Sequence, residues 1–272
     1  MDDIAQVIAQ SQADIVAFQE IVPSTGPARL LELAAALQNR LGSKVCVAIS
    51  PKPTDGDELY AFLWHHEKIA LATITTAGSL KTTDRCLPPS PIPLADDVAS
   101  EIVREPDFAF FFSQKEQQYF AVANVHFVPT EDKPENEVPP TFRFATNMAK
   151  PLATQALSLP VLVLGDFNLS AAHRAFVTAA LHRQFKPALI NVPTSLKLSR
   201  RALNKPYDNI WYRNLIPIKA AVMTLYPNPA TPTADWPQIG HSLTFLEQDE
   251  PRDVYYGLSD HSPIYLIMDL PD

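Results

Sequence analysis

The chain has 272 residues, 46% of them hydrophobic and 19% charged, with a net charge of −8. That much apolar material builds a sizeable core, which excludes a disordered chain or a miniature held together by disulfides. The negative balance speaks against a broad electrostatic grip on nucleic acid, although part of it would belong to any metal site.

Residues 1–12 are acidic and place Ile4, Val7 and Ile8 on one helical face, a pattern foreign to signal peptides. No window approaches the ~20 apolar residues that span a bilayer. The expectation is therefore a soluble, cytoplasmic protein without stable membrane association; secretion stays open if a longer N-terminus carries a signal. Asp14-Ile15-Val16-Ala17-Phe18 reads as a strand ending in Gln19-Glu20. Leu30, Leu33, Leu37 and Leu41, with alanines between them, predict an amphipathic helix over 28–41. Strand-like runs follow at 44–49, 59–64, 69–75, 107–112 and 119–127, and a second helix is expected over 141–157. Val161-Leu162-Val163-Leu164 reads as a strand buried on both faces, and it stops at Gly165-Asp166-Phe167-Asn168. Ser170 is placed to cap a third helix over 171–182.

Proline-rich stretches at 87–93, 129–140 and 227–237 read as surface loops, because proline donates no ladder hydrogen bond. No linker divides the chain, so residues 1–272 are expected to form one layered α/β domain with helices outside and sheets within. Cys46 and Cys86 are the only cysteines, and reduced thiols are the preferred reading.

The chemistry collects at strand ends, where open α/β sheets place their ligand sites. Besides Glu20, Asp166 and Asn168, the apolar run 120–125 ends in His126. Tyr207-Asp208 opens Asn209-Ile210-Trp211-Tyr212, and Ser259-Asp260-His261-Ser262-Pro263 opens Ile264-Tyr265-Leu266-Ile267-Met268. Any one of these has an ordinary alternative: a structural histidine, an Asx turn at Asp260, a helix cap at Glu20. Their joint occurrence favours an active site. Lys197, Arg200, Arg201 and Lys205 cluster just before Asp208 and read either as a solvated loop or as a phosphate-contacting one.

In this order, Gln19-Glu20, His126, Gly165-Asp166-Phe167-Asn168, Tyr207-Asp208 and Ser259-Asp260-His261-Ser262-Pro263 resemble the endonuclease/exonuclease/phosphatase superfamily. Glu58-Leu59-Tyr60-Ala61-Phe62-Leu63-Trp64 and Arg104-Glu105-Pro106 are similar to stretches of its deoxyribonuclease I-like branch. The resemblance implies a four-layer sandwich of two mixed β-sheets flanked by helices. It also implies that Glu58 orients His126 and that Arg104 contacts a substrate phosphate. One departure is expected to matter. The family's opening strand, which carries an asparagine near the metal, has no counterpart before Gln19, and its absence would leave a gap in one sheet.

Phosphodiester cleavage needs a nucleophilic water, neutralised phosphoryl oxygens and a stabilised leaving group. Oxygen ligands suit Mg²⁺, with Mn²⁺ or Ca²⁺ as alternatives; Glu20 is the expected ligand and Asp260 a second ligand or outer partner. No cysteine or histidine cluster has zinc-like spacing, so zinc is not expected. His261, oriented by Asp208, is assigned to proton transfer, while Asp166 and Asn168 face the attacking water, the metal or both. Arg200 and Arg201 join Arg104 as candidate substrate contacts. The leading expectation is a metal-dependent DNA endonuclease. A phospholipid or inositol phosphate esterase and a non-catalytic binding protein are the alternatives, and the oligomeric state is not legible.

Overall fold

The computed structural model describes residues 2–51, 53–54, 57–83, 86, 101–148, 159–197, 202–223, 261 and 263–271. Alternating side chains on its strands sort the apolar residues into three clusters, and these define four layers. Helices α1 (Asp2–Ser11) and α2 (Gly26–Leu41) form the first layer. Their apolar faces, including Ala5, Leu30, Leu33 and Leu37, pack on Ala61 and Leu63 of a three-stranded sheet. That sheet runs β1 (Ile15–Ile21), β3 (Leu59–His65), β2 (Val45–Ile49).

The other face of β3 presents Phe62 and Trp64 to a second sheet, against Phe111, Phe120, Val122 and Leu162. This sheet has seven strands in the order β5 (Leu80–Thr83), β4 (Ile69–Ile74), β6 (Asp107–Ser113), β7 (Gln118–His126), β8 (Val161–Asp166), β12 (Asp208–Arg213) and β9 (Lys186–Pro187). Its outer face, with Ala121, Ala123, Val161 and Trp211, packs on Phe142 and Phe176. Those two belong to helices α3 (Val138–Asn147) and α4 (Arg174–Ala179), the fourth layer. Burying each such aromatic contributes about 1.5–3 kcal/mol, so the alternation on β3 and β7 holds three layers together at once. Two two-stranded antiparallel sheets complete the described strands: β10 (Ser195–Lys197) with β11 (Ala202–Lys205), and β13 (Ile216–Val222) with β14 (Ile264–Asp269).

One register positions the site. Strands β7 and β8 run parallel with His126 opposite Asp166, and β12 runs antiparallel to β8 with Asp208 opposite Asp166. His126, Asp166 and Asp208 therefore form one lateral row on the inter-sheet face, at the end where the apolar filling stops. The row behind it holds Val125, Gly165 and Asn209.

Several local expectations are corrected. The third helix begins at Arg174, capped by His173, whose ring accepts from the Ala175 amide at 3.3 Å. Ser170 instead accepts from the Ala172 amide and donates to Asn191. The 129–140 stretch holds two short 3₁₀ turns, and helix α3 starts inside it at Val138, because proline suits a first helical turn that needs no amide donor. The expected helix over 141–157 is described only as far as Met148. Cys46 and Cys86 are joined as a disulfide, Cα atoms 5.1 Å apart, and not left as reduced thiols. The pairing reflects the fold bringing β2 against the residues that follow β5. Strands β5 and β13 lack a clear alternation and were not expected. Loops 87–93 and 227–237 lie outside the described residues. Among the described residues, β1 pairs only with β3, β14 pairs only with β13, and no strand joins the two.

Candidate active site

The lateral row meets residues from the facing sheet at its rim. Glu58, just before β3, lies on the same face as Phe62 and Trp64, and its carboxylate oxygens are 2.8 and 2.9 Å from His126 Nδ1. Arg104 Nη1 sits 2.7 Å from His126 Nε2. Arginine can only donate, so Nε2 accepts and the ring proton is on Nδ1, directed at Glu58. The histidine's tautomer is thus fixed from both sides. Arg104 also donates to the Phe127 carbonyl at 3.2 Å, which accepts Asn168 Nδ2 at 2.9 Å as well.

A second pair stands across the row. His261 Nδ1 is 2.7 Å from Asp208 Oδ2, which turns Nε2 toward Asp166. Asp166 Oδ2 is 3.8 Å from His261 Nε2 and 3.9 Å from His126 Nε2. The two ring nitrogens therefore lie within about 8 Å of each other, close enough to address one phosphate from two sides. Burial pushes the Asp166 carboxyl up to about 6; the negative charge of Asp208 adds to this and His261 opposes it. Asn168 donates its amide to Asp166 Oδ1 at 2.7 Å from a left-handed backbone, φ 47°.

Glu20 also has left-handed backbone, φ 58°, at the point where the β1–β3 register shifts. A bulge of this kind redirects a side chain next to a site. Glu20 Oε1 stands 3.6 Å from His126 Nε2, and its side chain is 66% exposed against 10% for Glu58. The two glutamates are thus unlike: Glu58 is a buried partner of the ring, Glu20 an open oxygen donor. Glu20, Glu58 and His126 present ligand atoms within 4.8 Å of one another, and so do Asp166, Asp208 and His261. Such oxygen-rich sets fit a hard divalent cation.

The structure therefore gathers Glu20, Glu58, Arg104, His126, Asp166, Asn168, Asp208 and His261 at one rim. Glu58 is not an exposed strand charge. Arg104 points inward as well, its Nε 3.8 Å from Glu58 Oε1, while Glu101 bonds Arg143 at 2.8 Å. Glu20 does not cap α2, whose first turn contains no acid. Asp260, Arg200 and Arg201 lie outside the described residues.

Four supporting residues escaped the sequence reading. The Tyr60 hydroxyl accepts from the His126 amide at 3.0 Å, and burial, aided by the charge of Glu58, holds its pKa well above the usual phenol value. Asn124, fully buried, accepts from Gln19 and donates to the Phe18 carbonyl, tying β7 to β1. Thr194 Oγ1 accepts from the Asp208 amide at 3.0 Å. Glu137 accepts from the amides of Val103, Arg104 and Val128, which fixes the loop that aims Arg104 inward. Of these, Tyr60 and Asn124 carried a usable signal: polar residues on the inward face of otherwise apolar strands.

Residues 1–261 match the Endonuclease/Exonuclease/phosphatase family. A protein of Thioalkalivibrio sp. (strain K90mix) named deoxyribonuclease is 24% identical over 98% of this chain, which spans 65% of that relative's length. Among solved structures, a mannosyl-6-phosphatase of Bacteroides thetaiotaomicron superposes with a TM-score of 0.63 at 16% identity, over 99% of this chain and 90% of the other. D. rerio TDP2 complexed with a single-strand DNA product gives 0.56 at 13% identity, over 98% and 90%. At these identities the superpositions show the shared fold.

Proposed function

Since this chain belongs to the endonuclease/exonuclease/phosphatase family, we propose that it is a divalent-metal-dependent phosphodiesterase that cuts DNA internally, by in-line attack of water. The observation that carries the reading is the pair of histidine–carboxylate couples placed on either side of Asp166 Oδ2. The 24% identity to a deoxyribonuclease supports the choice of DNA.

Glu20 would hold the cation, with Asp166 and Asp260 as further oxygen donors. When bound, Mg²⁺ or Mn²⁺ supplies charge neutralisation on the phosphoryl oxygens. The protein's own residues do the rest. Arg104, held inward by Glu137, adds a guanidinium that stabilises negative charge on the phosphoryl group. Asp208 accepts from His261 Nδ1 and keeps Nε2 ready to exchange a proton on one side of the scissile phosphate. His126, fixed by Glu58, accepts from Arg104 and so holds that guanidinium on the other side. Asp166, with Oδ1 held by the Asn168 amide and Oδ2 between the two imidazoles, is placed to orient the water. Arg200 and Arg201 are proposed to extend the phosphate contacts along the backbone.

The fold is proposed as one domain across residues 1–272. No described helix is long and apolar enough to cross a membrane. The disulfide favours an oxidising compartment over the cytoplasm expected from composition.

The deciding experiment is nicking of supercoiled plasmid with Mg²⁺ or Mn²⁺, beside a chelator control and His261→Ala. Metal-dependent nicking that this substitution removes supports the nuclease. Turnover of phosphomonoesters, inositol phosphates or phospholipid vesicles without nicking transfers the same machinery to that substrate. Metal binding with no turnover of any of them leaves a binding protein.

A further inference from the structure

The fold creates a second cluster of metal-ligating side chains, far from the lateral row in sequence and built from different donors. Cys46 faces the inter-sheet core from β2 and is 1% exposed. His66 follows β3, tied there by its amide to the Lys44 carbonyl at 3.0 Å, and Cys86 follows β5 of the opposite sheet. The ligand atoms of Cys46, His66 and Cys86 all lie within 4.8 Å of one another. His66 and Cys86 are only half-buried, which leaves a path to solvent.

We propose that this cluster is a redox-gated site for a thiophilic cation of the Zn²⁺ type: closed as a disulfide, and a Cys₂His site when reduced. The geometry points to it. Zinc bonds of about 2.3 Å to sulfur and 2.0–2.1 Å to nitrogen, at a tetrahedral angle, put those two donors roughly 3.6 Å apart. Cys46 Sγ and His66 Nδ1 are 3.6 Å apart already. Two thiolates on one zinc would stand roughly 3.8 Å apart, so the sulfurs must separate once the disulfide opens. A dithiol reductant supplies two electrons and two protons, is itself oxidised to a disulfide, and leaves two protein thiols. Binding of Zn²⁺ then releases both protons to water and leaves two thiolates and the neutral His66 ring as ligands, with a fourth position for water. Because the donors come from both sheets, either the disulfide or the metal ties them together, and the two states exclude each other.

The test uses the full chain, stripped of metal, oxidised or reduced with a phosphine, and titrated with Co²⁺. Carboxylates and histidines alone give no thiolate-to-cobalt charge-transfer band, so the rim described above cannot mimic the signal. The expected result is a band that saturates at one equivalent in the reduced protein only, is displaced by Zn²⁺, and is lost in Cys86→Ser. In His66→Ala the affinity should drop at least about tenfold, the loss of one ligand. A folded reduced protein without the band overturns the proposal. So does a band unchanged in His66→Ala, which would leave His66 as a mere hydrogen-bond partner of sulfur. If reduction unfolds the chain, recovery of the circular dichroism spectrum on adding one equivalent of Zn²⁺ supports the site, and failure to recover overturns it.

Discussion

Replacing Gly165 by alanine tests the register that brings the site together. Gly165 has φ +138°, outside the range that a side-chain-bearing residue adopts at low cost. A Cβ there would strike the Val125 carbonyl oxygen inside van der Waals contact and stand 2.9 Å from its carbonyl carbon. Both are backbone atoms of the neighbouring strand and cannot rotate away. The conformational term costs about 1–3 kcal/mol and the overpacking about as much again, so a loss of about 2–6 kcal/mol is expected. Gly42→Ala separates the two terms. Gly42 has φ +67° at the C-cap of α2 with nothing within 4 Å of its would-be Cβ, so only the left-handed penalty of about 1–2 kcal/mol applies. Thermal unfolding followed by circular dichroism should show Gly165→Ala melting about 2–12 °C below Gly42→Ala. Nicking by whatever Gly165→Ala protein folds should be impaired too, since the strand displaced carries His126. Equal melting temperatures for the two variants would refute the reasoning, because the close approach of β7 and β8 would then cost nothing.

Asp208→Asn keeps the shape beside His261 but removes the charge, so kcat should fall about 10²–10⁴-fold with KM nearly unchanged; parent-like kcat in steady-state assays would remove His261 from proton transfer. Glu137→Ala leaves the amides of Val103, Arg104 and Val128 without their acceptor, at about 1–3 kcal/mol for each that stays buried, and KM should rise as Arg104 loosens. Unchanged KM in a folded variant would show that Arg104 is aimed by something else. Burial raises the Asp107 carboxyl to about 7, and its Oδ2 has no hydrogen-bond partner among the described residues. With the folded value above the unfolded one, its contribution is full below about pH 4 and is lost as pH rises through about 7, on the order of 4 kcal/mol. Urea midpoints at pH 4.5 and 7.5 should therefore differ less in Asp107→Asn than in the parent; an equal difference would show that Asp107 titrates as an ordinary surface acid.

Strand ends made much of the site legible. His126, Asp166 and Asp208 each interrupt or open an apolar run, and a charge at that position is affordable only where a sheet meets solvent. The layers followed from the same alternation, as Ala61 and Leu63 on one face of β3 and Phe62 and Trp64 on the other illustrate. Glu137 was not legible, because its three partners are backbone amides and amides leave no mark on composition. The Cys46–Cys86 bond closes a loop of 40 residues between two sheets, and no spacing rule encodes such a closure. His173 displaced Ser170 as a helix cap for a related reason: both are local acceptors, and the choice depends on where Phe176 must enter the core.

The lateral row also limits how this chain can vary in length. Side chains in a strand alternate with period two, so one residue inserted between Leu164 and Gly165 would put Asp166 out of phase with Leu162 and Leu164, and either the acid or the two leucines would leave the shared face. No gradual path leads through such an intermediate, since core or chemistry fails in one step. Insertions in the connections beyond the row cost only loop-closure entropy, which grows slowly with length. Lineages sharing this architecture should therefore keep β7, β8 and β12 at fixed length and explore new substrates through the segments that begin where those strands stop.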